Sequence, residues 1–146
     1  MKPHGSILEF TRERNNDLMR AYRHQIKRAR HISMRSIAAD IVEMPAARFW
    51  VSEERATIVI SALLAGRDLP ANMRPTKCEM FSEIYRRFLN LRHSRPHDSV
   101  YALVSEVVNS PAPKFYMLPR SAMDIIYKIK KGYYDELYRQ NPIFCY

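Results

Sequence analysis

The chain has 146 residues, with 24 Lys and Arg against 15 Asp and Glu, a formal net charge of +9 and a sequence pI near 9.8. This balance points to an anionic partner, which could be nucleic acid, an acidic membrane or an acidic protein. No apolar run has the length of a membrane span, and the stretch MKPHGSILEF has no continuous apolar core. We therefore expect no membrane partner, no signal peptide and a cytoplasmic location.

The composition also bears on the fold. Only three glycines stand against nine prolines, and good helix formers fill most of the intervals between them. This favours helices joined by rigid turns, so we expect an all-α fold. The two cysteines, Cys78 and Cys145, have no motif spacing, and we expect plain thiols without a function.

An internal repeat organises the chain, because an offset of 66 residues aligns it with itself without gaps. The identities include Arg20/Arg86, Ser33/Ser99, Pro45/Pro111, Ala46/Ala112, Phe49/Phe115, Ala56/Ala122, Ile60/Ile126 and Gly66/Gly132. A period of this length indicates a duplicated supersecondary unit. The alternative is chance similarity between amphipathic helices, but helical periodicity alone would not match Pro, Phe and Gly together.

The repeat predicts two tandem three-helix units that share one compact core. The predicted segments are an N-terminal arm over 1–10, repeat 1 over 11–66, a linker over 67–77, repeat 2 over 78–132, and a tyrosine-rich C-terminal helix and tail over 133–146. Apolar residues recur at helical spacing in each repeat. The predicted helix boundaries are N-caps at Ser33, Ser52 and Ser99, a proline at the first helical position at Pro119, and C-terminal stops at Gly66 and Gly132.

A first helix, a short second one, a fixed turn and an amphipathic third helix resemble a helix-turn-helix domain. The turns PAARFWV and PAPKFYM are longer than the usual tight turn, and a three-helix interaction module would have the same outline. We predict that the aromatic residues of these turns are hydrophobic plugs that fix them, and not a stacking platform. They are Phe49, Trp50, Phe115 and Tyr116.

Four segments carry a family resemblance: FTRERNNDLMRAYR, FWVSEERATIVISALL, MRPTKCEMFSEIYRR and VVNSPAPKFYMLPRSA. They resemble a group of small basic proteins of gut bacteria and their mobile elements, a group without an assigned activity. The resemblance covers most of the chain. It implies a mobile-element or phage origin, where small basic regulators are common, and implies no site residues.

The two third helices differ on the face opposite their buried stripe. Repeat 2 has Arg120, Asp124, Lys128 and Lys131 there, where repeat 1 has Glu54, Ile58, Ala62 and Ala65. A helix that is apolar on both sides is usually covered. We therefore expect the third helix of repeat 1 to be sandwiched, either against repeat 2 or across a homodimer, and that of repeat 2 to face an anionic partner.

Basic residues on the first helices and in the turns complete the candidate nucleic-acid interface. Arg48 and Lys114 stand just ahead of the third helices, where helix-turn-helix proteins often contact the DNA backbone. Such contacts release counterions, so binding should fall steeply with salt. The alternative is that these runs are solvated helix faces. The candidate residues are Arg20, Arg23, Lys27, Arg30, Arg48, Arg86, Arg87, Lys114, Arg120, Lys128 and Lys131.

The sequence gives little indication of an active site or a metal site. His93 and His97 are spaced as half of a zinc site, but no second cysteine lies near Cys78, and Pro96 interrupts the helix. No glycine-rich phosphate loop or nucleophile elbow is present, so we expect no catalysis, metal or cofactor. The sequence predicts a non-catalytic protein that binds duplex DNA, such as a transcriptional, phage or mobile-element regulator. Two alternatives stay open, a scaffold that binds an acidic protein and an RNA-binding protein.

Overall fold

A computed structural model describes residues 4–30 and 33–140 of the protein. This part of the chain is all-helical, with one isolated β-bridge and no strand. Its helices are α1 (His4–Arg28), α2 (Met34–Val42), α3 (Glu53–Leu64), α4 (Pro75–Ser94), α5 (Val100–Val108), α6 (Pro119–Lys130) and α7 (Tyr133–Gln140). Across these described ranges, no helix has both the length and the apolar character needed to cross a bilayer. The all-α prediction is confirmed.

Several predicted boundaries shift. Residues 4–10 of the predicted N-terminal arm belong to α1, which begins at His4; extending an existing helix is far easier than nucleating one. The linker is shorter than predicted, since Pro75 occupies the first position of α4, where a missing N–H costs nothing. The helix predicted in the tail is α7. Residues 1–3, His31 and the tail over 141–146 lie outside the described residues.

The helices of the two repeats have matching bounds. The ends of α1 and α4 are 66 residues apart, and so are both ends of α2 and α5 and both ends of α3 and α6. The predicted serine caps are present. The hydroxyl of Ser33 accepts from the N–H of Ser36, and that of Ser99 from the N–H of Ala102. The second helices of both repeats therefore begin with the same serine cap. The third helices begin differently, because Ser52 caps α3, as predicted, whereas α6 begins at Pro119 without a side-chain cap.

Both third helices end on a glycine with positive φ, 88° at Gly66 and 78° at Gly132. After α3, the N–H of Gly66 donates to the carbonyl of Leu63, and the N–H of Arg67 to that of Ala62, each at 3.0 Å. This is a Schellman end, which satisfies carbonyls that the helix leaves open. A Cβ at either glycine would meet no atom within 4 Å, so backbone conformation alone favours glycine there.

The first compact unit consists of residues 1–44 and 118–146. In this unit, which we call unit 1, α6 packs against α1, α2 and α7, and α1 packs against α2. Its buried apolar residues form the stripes that helical spacing predicted. They are Leu18, Ala21, Tyr22, Ile37, Ala38, Ile41, Val42, Ala122 and Ile126.

The second compact unit, unit 2, consists of residues 45–117 and contains α3, α4 and α5, all packed against one another. Its two proline turns pair through a short antiparallel bridge, in which Ala46 and Ala112 exchange backbone hydrogen bonds of 3.0 and 3.1 Å. Phe49, Phe115 and Tyr116 are buried, so these aromatic residues are plugs, as predicted. Trp50 is half-buried.

The compact units do not coincide with the predicted repeats. Each unit takes its first two helices from one repeat and its third from the other, since α6 packs with α1 and α2 while α3 packs with α4 and α5. The proline turns carry the chain out of one unit and into the other, because a proline-bearing segment is held extended. The consecutive pair of a repeat, such as α2 and α3, therefore forms no helix-turn-helix within either unit.

This exchange predicts that the chain survives a cut between the repeats. We expect a protein with a specific protease site inserted after Asp68 to remain one particle after cleavage, because α3 stays packed on α4 and α5, and α6 on α1 and α2. Gel filtration in native buffer and in denaturant measures this, with uncut protein as the control. Two separate half-chains eluting in native buffer would contradict the exchange.

Candidate nucleic-acid interface

The predicted basic residues divide unevenly between the two units. Unit 1 contains Arg20, Arg23, Lys27, Arg30, Arg120, Lys128 and Lys131, and unit 2 contains Arg48, Arg86, Arg87 and Lys114. Over their full sequences, unit 1 has 14 Lys and Arg against 8 Asp and Glu, whereas unit 2 has 10 against 7. The excess positive charge is therefore greater in unit 1, at +6 against +3.

In unit 2, Arg48 is engaged inside its own turn. Its Nε donates to the carbonyl of Phe49 at 3.0 Å, and its Nη2 to that of Val51 at 2.8 Å. Glu53 lies 3.3 Å from the same Nη2, and the guanidinium lies 5.2 Å from the ring centroid of Trp50. The side chain is only 14% exposed. These contacts fix the turn before α3, which leaves Arg48 badly placed for the phosphate contact that we predicted.

Arg87 joins α4 to the second proline turn. Its Nε is 2.7 Å from a carboxylate oxygen of Glu83, and its Nη1 donates to the carbonyl of Pro111 at 2.8 Å. The guanidinium also lies 5.0 Å from the centroid of the buried Phe49 ring. Arg87 thus joins a helix, a turn and an aromatic plug, which is a structural role.

Glu83 holds both neighbouring arginines. Arg86 donates to its two carboxylate oxygens at 3.0 and 2.6 Å. The hydrogen bond from Arg86 lowers the pKa of Glu83 most; burial opposes this shift, and the bond from Arg87 adds to it. A carboxyl group whose pKa falls on folding stabilises the folded state above its unfolded pKa. That stabilisation is lost as pH falls through the lower folded pKa.

Lys114, the repeat equivalent of Arg48, is likewise engaged. Its ammonium forms an ion pair with Glu79 and lies 5.5 Å from the ring centroid of Tyr116. Tyr116 has φ 55°, a conformation that costs a bulky residue on the order of 1–3 kcal/mol. Its ring is 6% exposed and stacks on Phe49 at 5.9 Å, and burial of an aromatic ring offsets that cost.

Ion pairing follows the repeat. Arg20 and its repeat equivalent Arg86 each bind an acidic residue three positions earlier, Asp17 at 2.7 Å and Glu83 at 2.6 Å. Arg48 and Lys114, also repeat equivalents, pair with glutamates. Every candidate that is basic in both repeats is therefore in an ion pair. Arg87 is the one paired candidate whose equivalent, Ala21, is not basic.

The remaining six candidate residues are not ion-paired in this way, and all six are in unit 1. Their side chains are exposed, and among the described residues none has a carboxylate within ion-pair distance. They are Arg23, Lys27, Arg30, Arg120, Lys128 and Lys131. The equivalent positions in the other repeat hold Leu89, His93, Pro96, Glu54, Ala62 and Ala65. The fold therefore does not require a basic residue at these positions.

Two exposed tyrosines, one in α6 and one at the start of α7, lie beside lysines. Lys131 Nζ lies 4.6 Å from the ring centroid of Tyr127, which is 58% exposed. Lys128 Nζ lies 5.5 Å from that of Tyr133, which is 54% exposed. For the tyrosines after Gly132, the sequence favours core or interface packing and leaves a stacking role open; it gives no role to Tyr127. The available signal was the repeat itself, which has Ser61 where α6 has Tyr127.

Lys130 and Ile58 differ from these residues in what surrounds them. Lys130 binds the hydroxyl of Tyr22 and lies over its ring, so it joins α6 to α1. Ile58 on α3 is 62% exposed, so the expectation that repeat 2 covers this face is wrong. The other face of α3, with Ala56, Val59 and Ile60, is the buried one.

Within the described ranges, no group of three or more His, Cys, Asp or Glu side chains has the arrangement of a metal site. Comparisons with protein-family profiles, curated proteins and solved structures find no match to this chain.

The adjacent arginines of α4 give a matched prediction. Arg87→Ala should lower the free energy of unfolding by about 1.5–3 kcal/mol, because it leaves the Pro111 carbonyl without its charged donor and removes one of the two arginines that bind Glu83. Arg86→Ala should cost less than about 1 kcal/mol, as is usual for an exposed ion pair. Urea unfolding measures both values. Equal losses would contradict the structural role of Arg87.

The lowered pKa of Glu83 gives a pH prediction. At neutral pH, Glu83→Gln should be less stable than the wild type, because both arginines lose their carboxylate. The difference should shrink as pH falls below about 4.3, the ordinary pKa of a glutamate, because protonation removes the same charge from the wild type. Thermal unfolding across this range measures it. A difference independent of pH would contradict the assigned cause.

Proposed function

We propose that this protein binds duplex DNA without catalysis, through the exposed basic residues of unit 1. One observation carries the proposal. The candidates that are Lys or Arg in both repeats are ion-paired, whereas six exposed candidates, all in unit 1, have no carboxylate within ion-pair distance among the described residues. Phosphate binding requires exposed basic side chains that are not already held in ion pairs within the fold.

The basic face of α6 has a suitable size for this role. Twelve residues span about 18 Å at 1.5 Å each, and the major groove of B-DNA admits an α-helix. The basic residues of this face would contact phosphates; they are Arg120, Lys128 and Lys131. Further positive charge would come from the C-terminal end of α1 and the residues just after it, with Arg23, Lys27 and Arg30. Asp124 on α6 is also exposed. A carboxylate repels phosphate but accepts hydrogen bonds from cytosine N4, so it suits a position toward base edges.

The proposal extends to the origin of the fold and to the biological role of the protein. We propose that the chain is a duplicated three-helix unit whose third helices are exchanged; the coincident helix bounds support this. The DNA-binding unit would then contain α1 and α2 from repeat 1 and α6 from repeat 2. It would not be a helix-turn-helix made of consecutive helices. A small basic protein of this kind suits a transcriptional, phage or mobile-element regulator.

Self-association is a second candidate function. Ile58 is the most exposed large apolar side chain of the described residues, at 62%, and it lies on the face of α3 that does not pack on α4 and α5. A homodimer through this face would bury it. Light scattering on wild type and Ile58→Arg separates the two states. A dimer that the substitution dissociates would support the candidate, and a monomeric wild type would exclude it.

The DNA proposal predicts a charge-reversal effect that depends on the unit. Lys128→Glu/Lys131→Glu should weaken duplex binding strongly and reduce the slope of log affinity against log salt by about 1 for each lost phosphate contact. Fluorescence anisotropy at several salt concentrations measures both quantities. The variant should fold normally, since both lysines are exposed.

Arg67→Glu/Arg92→Glu is the matched control. It reverses two charges on exposed residues of unit 2 and changes the net charge equally, so it should affect affinity far less. Equal losses in the two variants would show that only net charge matters. Absence of salt-dependent binding by the wild type would overturn the proposed function.

A further inference from the structure

We infer that α6 and the start of α7 form a binding site for unpaired DNA bases, with Tyr127 and Tyr133 as stacking surfaces. This inference rests on the proposed DNA-binding function and specifies what that surface takes. We call these two tyrosines, together with Lys128 and Lys131, the tyrosine ledge. All four belong to unit 1.

Exposure is the first argument. Tyr127 is 58% and Tyr133 is 54% exposed, although aromatic rings usually bury most of their surface. In unit 1 they are the only exposed aromatic side chains among the described residues. The proportion of each ring in solvent leaves surface for another flat ring to cover.

The lysines supply the second argument. Lys131 lies 4.6 Å from the centroid of Tyr127, and Lys128 lies 5.5 Å from that of Tyr133. A cation of this kind occupies one face of a ring, so a base would stack on the opposite face of Tyr127. The Tyr133 ring also meets the Tyr134 ring at right angles, with centroids 5.3 Å apart, and would offer its remaining exposed surface. The ammonium groups would then lie beside the sugar-phosphate chain. Stacking rings interleaved with cations are the usual features of single-strand binding.

The duplication supplies the third argument, because α3 is an internal control for α6. The two helices have the same length, and each packs on the first two helices of one set, α4 and α5 for α3 and α1 and α2 for α6; α6 packs on α7 as well. At the four positions of the ledge, repeat 1 has Ser61, Ala62, Ala65 and Arg67. The packing of a third helix on its first two partner helices therefore needs none of the ledge residues, and their exposure in one repeat alone points to a ligand.

The chemistry favours unpaired bases over a closed duplex. Within a duplex the bases stack on one another, and their faces are not accessible to a protein ring. An overhang, gap or fork exposes those faces beside a duplex whose phosphates the basic residues of unit 1 can bind. We therefore expect the protein to prefer DNA that has a duplex next to a single strand.

The test compares three DNA ligands by fluorescence anisotropy. They are a blunt duplex, the same duplex with a short single-stranded overhang, and the same overhang made of abasic nucleotides. The abasic overhang keeps the phosphates and removes the bases. The wild type should bind the natural overhang at least about tenfold more tightly than the abasic one, the fold-change that ~1.4 kcal/mol of stacking produces.

Variants assign this preference to the ledge. Tyr127→Ala/Tyr133→Ala should lose the preference and bind blunt duplex within about twofold of the wild type. Tyr127→Phe/Tyr133→Phe, which retains the rings, should keep it. Tyr101→Ala is the matched control, because Tyr101 is 48% exposed but belongs to unit 2. It should bind all three ligands as the wild type does.

The outcomes separate the inference from the function beneath it. If the wild type binds natural and abasic overhangs equally, or if the double alanine variant keeps the preference, the ledge is overturned while duplex binding stands. If neither duplex nor overhang binds in a salt-dependent way, the proposed function fails and the ledge with it.

Discussion

The packing of each third helix on the first two helices of the other repeat is the constraint on which the rest of the structure depends. Ile60 on α3 and its equivalent Ile126 on α6 are fully buried, and a fully buried isoleucine contributes about 1.5–3 kcal/mol. Exposed ion pairs contribute about 0–1 kcal/mol each. Apolar packing therefore decides where the third helices lie, and the arginine contacts hold the turns that lead to them.

The exchange also explains why the proline turns retain the same chemistry in both repeats. Each turn connects a helix of one unit to a helix of the other, which an extended path allows. In unit 2, the bridge between Ala46 and Ala112 pairs the two turns, and buried aromatic residues fix them. Arg48 and Lys114 contact Trp50 and Tyr116 respectively. Their conservation of charge thus has a structural cause.

The absence of such structural contacts distinguishes the candidate residues of α6 from those of unit 2. On α6, positions that are Ala62 and Ala65 in the other repeat have become Lys128 and Lys131, with no carboxylate partner among the described residues. Such charges repel one another and do not help the fold. A partner with negative charge gives a reason for their presence.

Much of the fold could be predicted from the sequence, because helix formation is governed locally. Apolar spacing identified the buried residues of α2 and α5, and Ser33, Ser99 and the two terminal glycines gave the helix limits. The exchange of third helices could not be predicted, since an amphipathic stripe shows that a helix is buried but not which partner covers it. For the same reason, the sequence could not decide whether repeat 2 or a second copy of the chain covers Ile58.

The candidate site was only partly predictable. Sequence reasoning found the basic residues, but a charge in a sequence does not show whether a carboxylate lies beside it in the fold. Arg87 and Lys114 were therefore grouped with Lys128, although Glu83 and Glu79 engage the first two. A comparison of charge between the repeats would have separated most of them, because residues that are basic in both copies are the paired ones.

Lysine acetylation footprinting, read by mass spectrometry with and without duplex DNA, tests the central claim most directly. DNA should protect Lys27 and Lys128 of unit 1 and leave the reactivity of the exposed Lys77 of unit 2 unchanged. Protection of Lys77 with no change at Lys27 and Lys128 would contradict the assignment of the DNA-binding surface to unit 1.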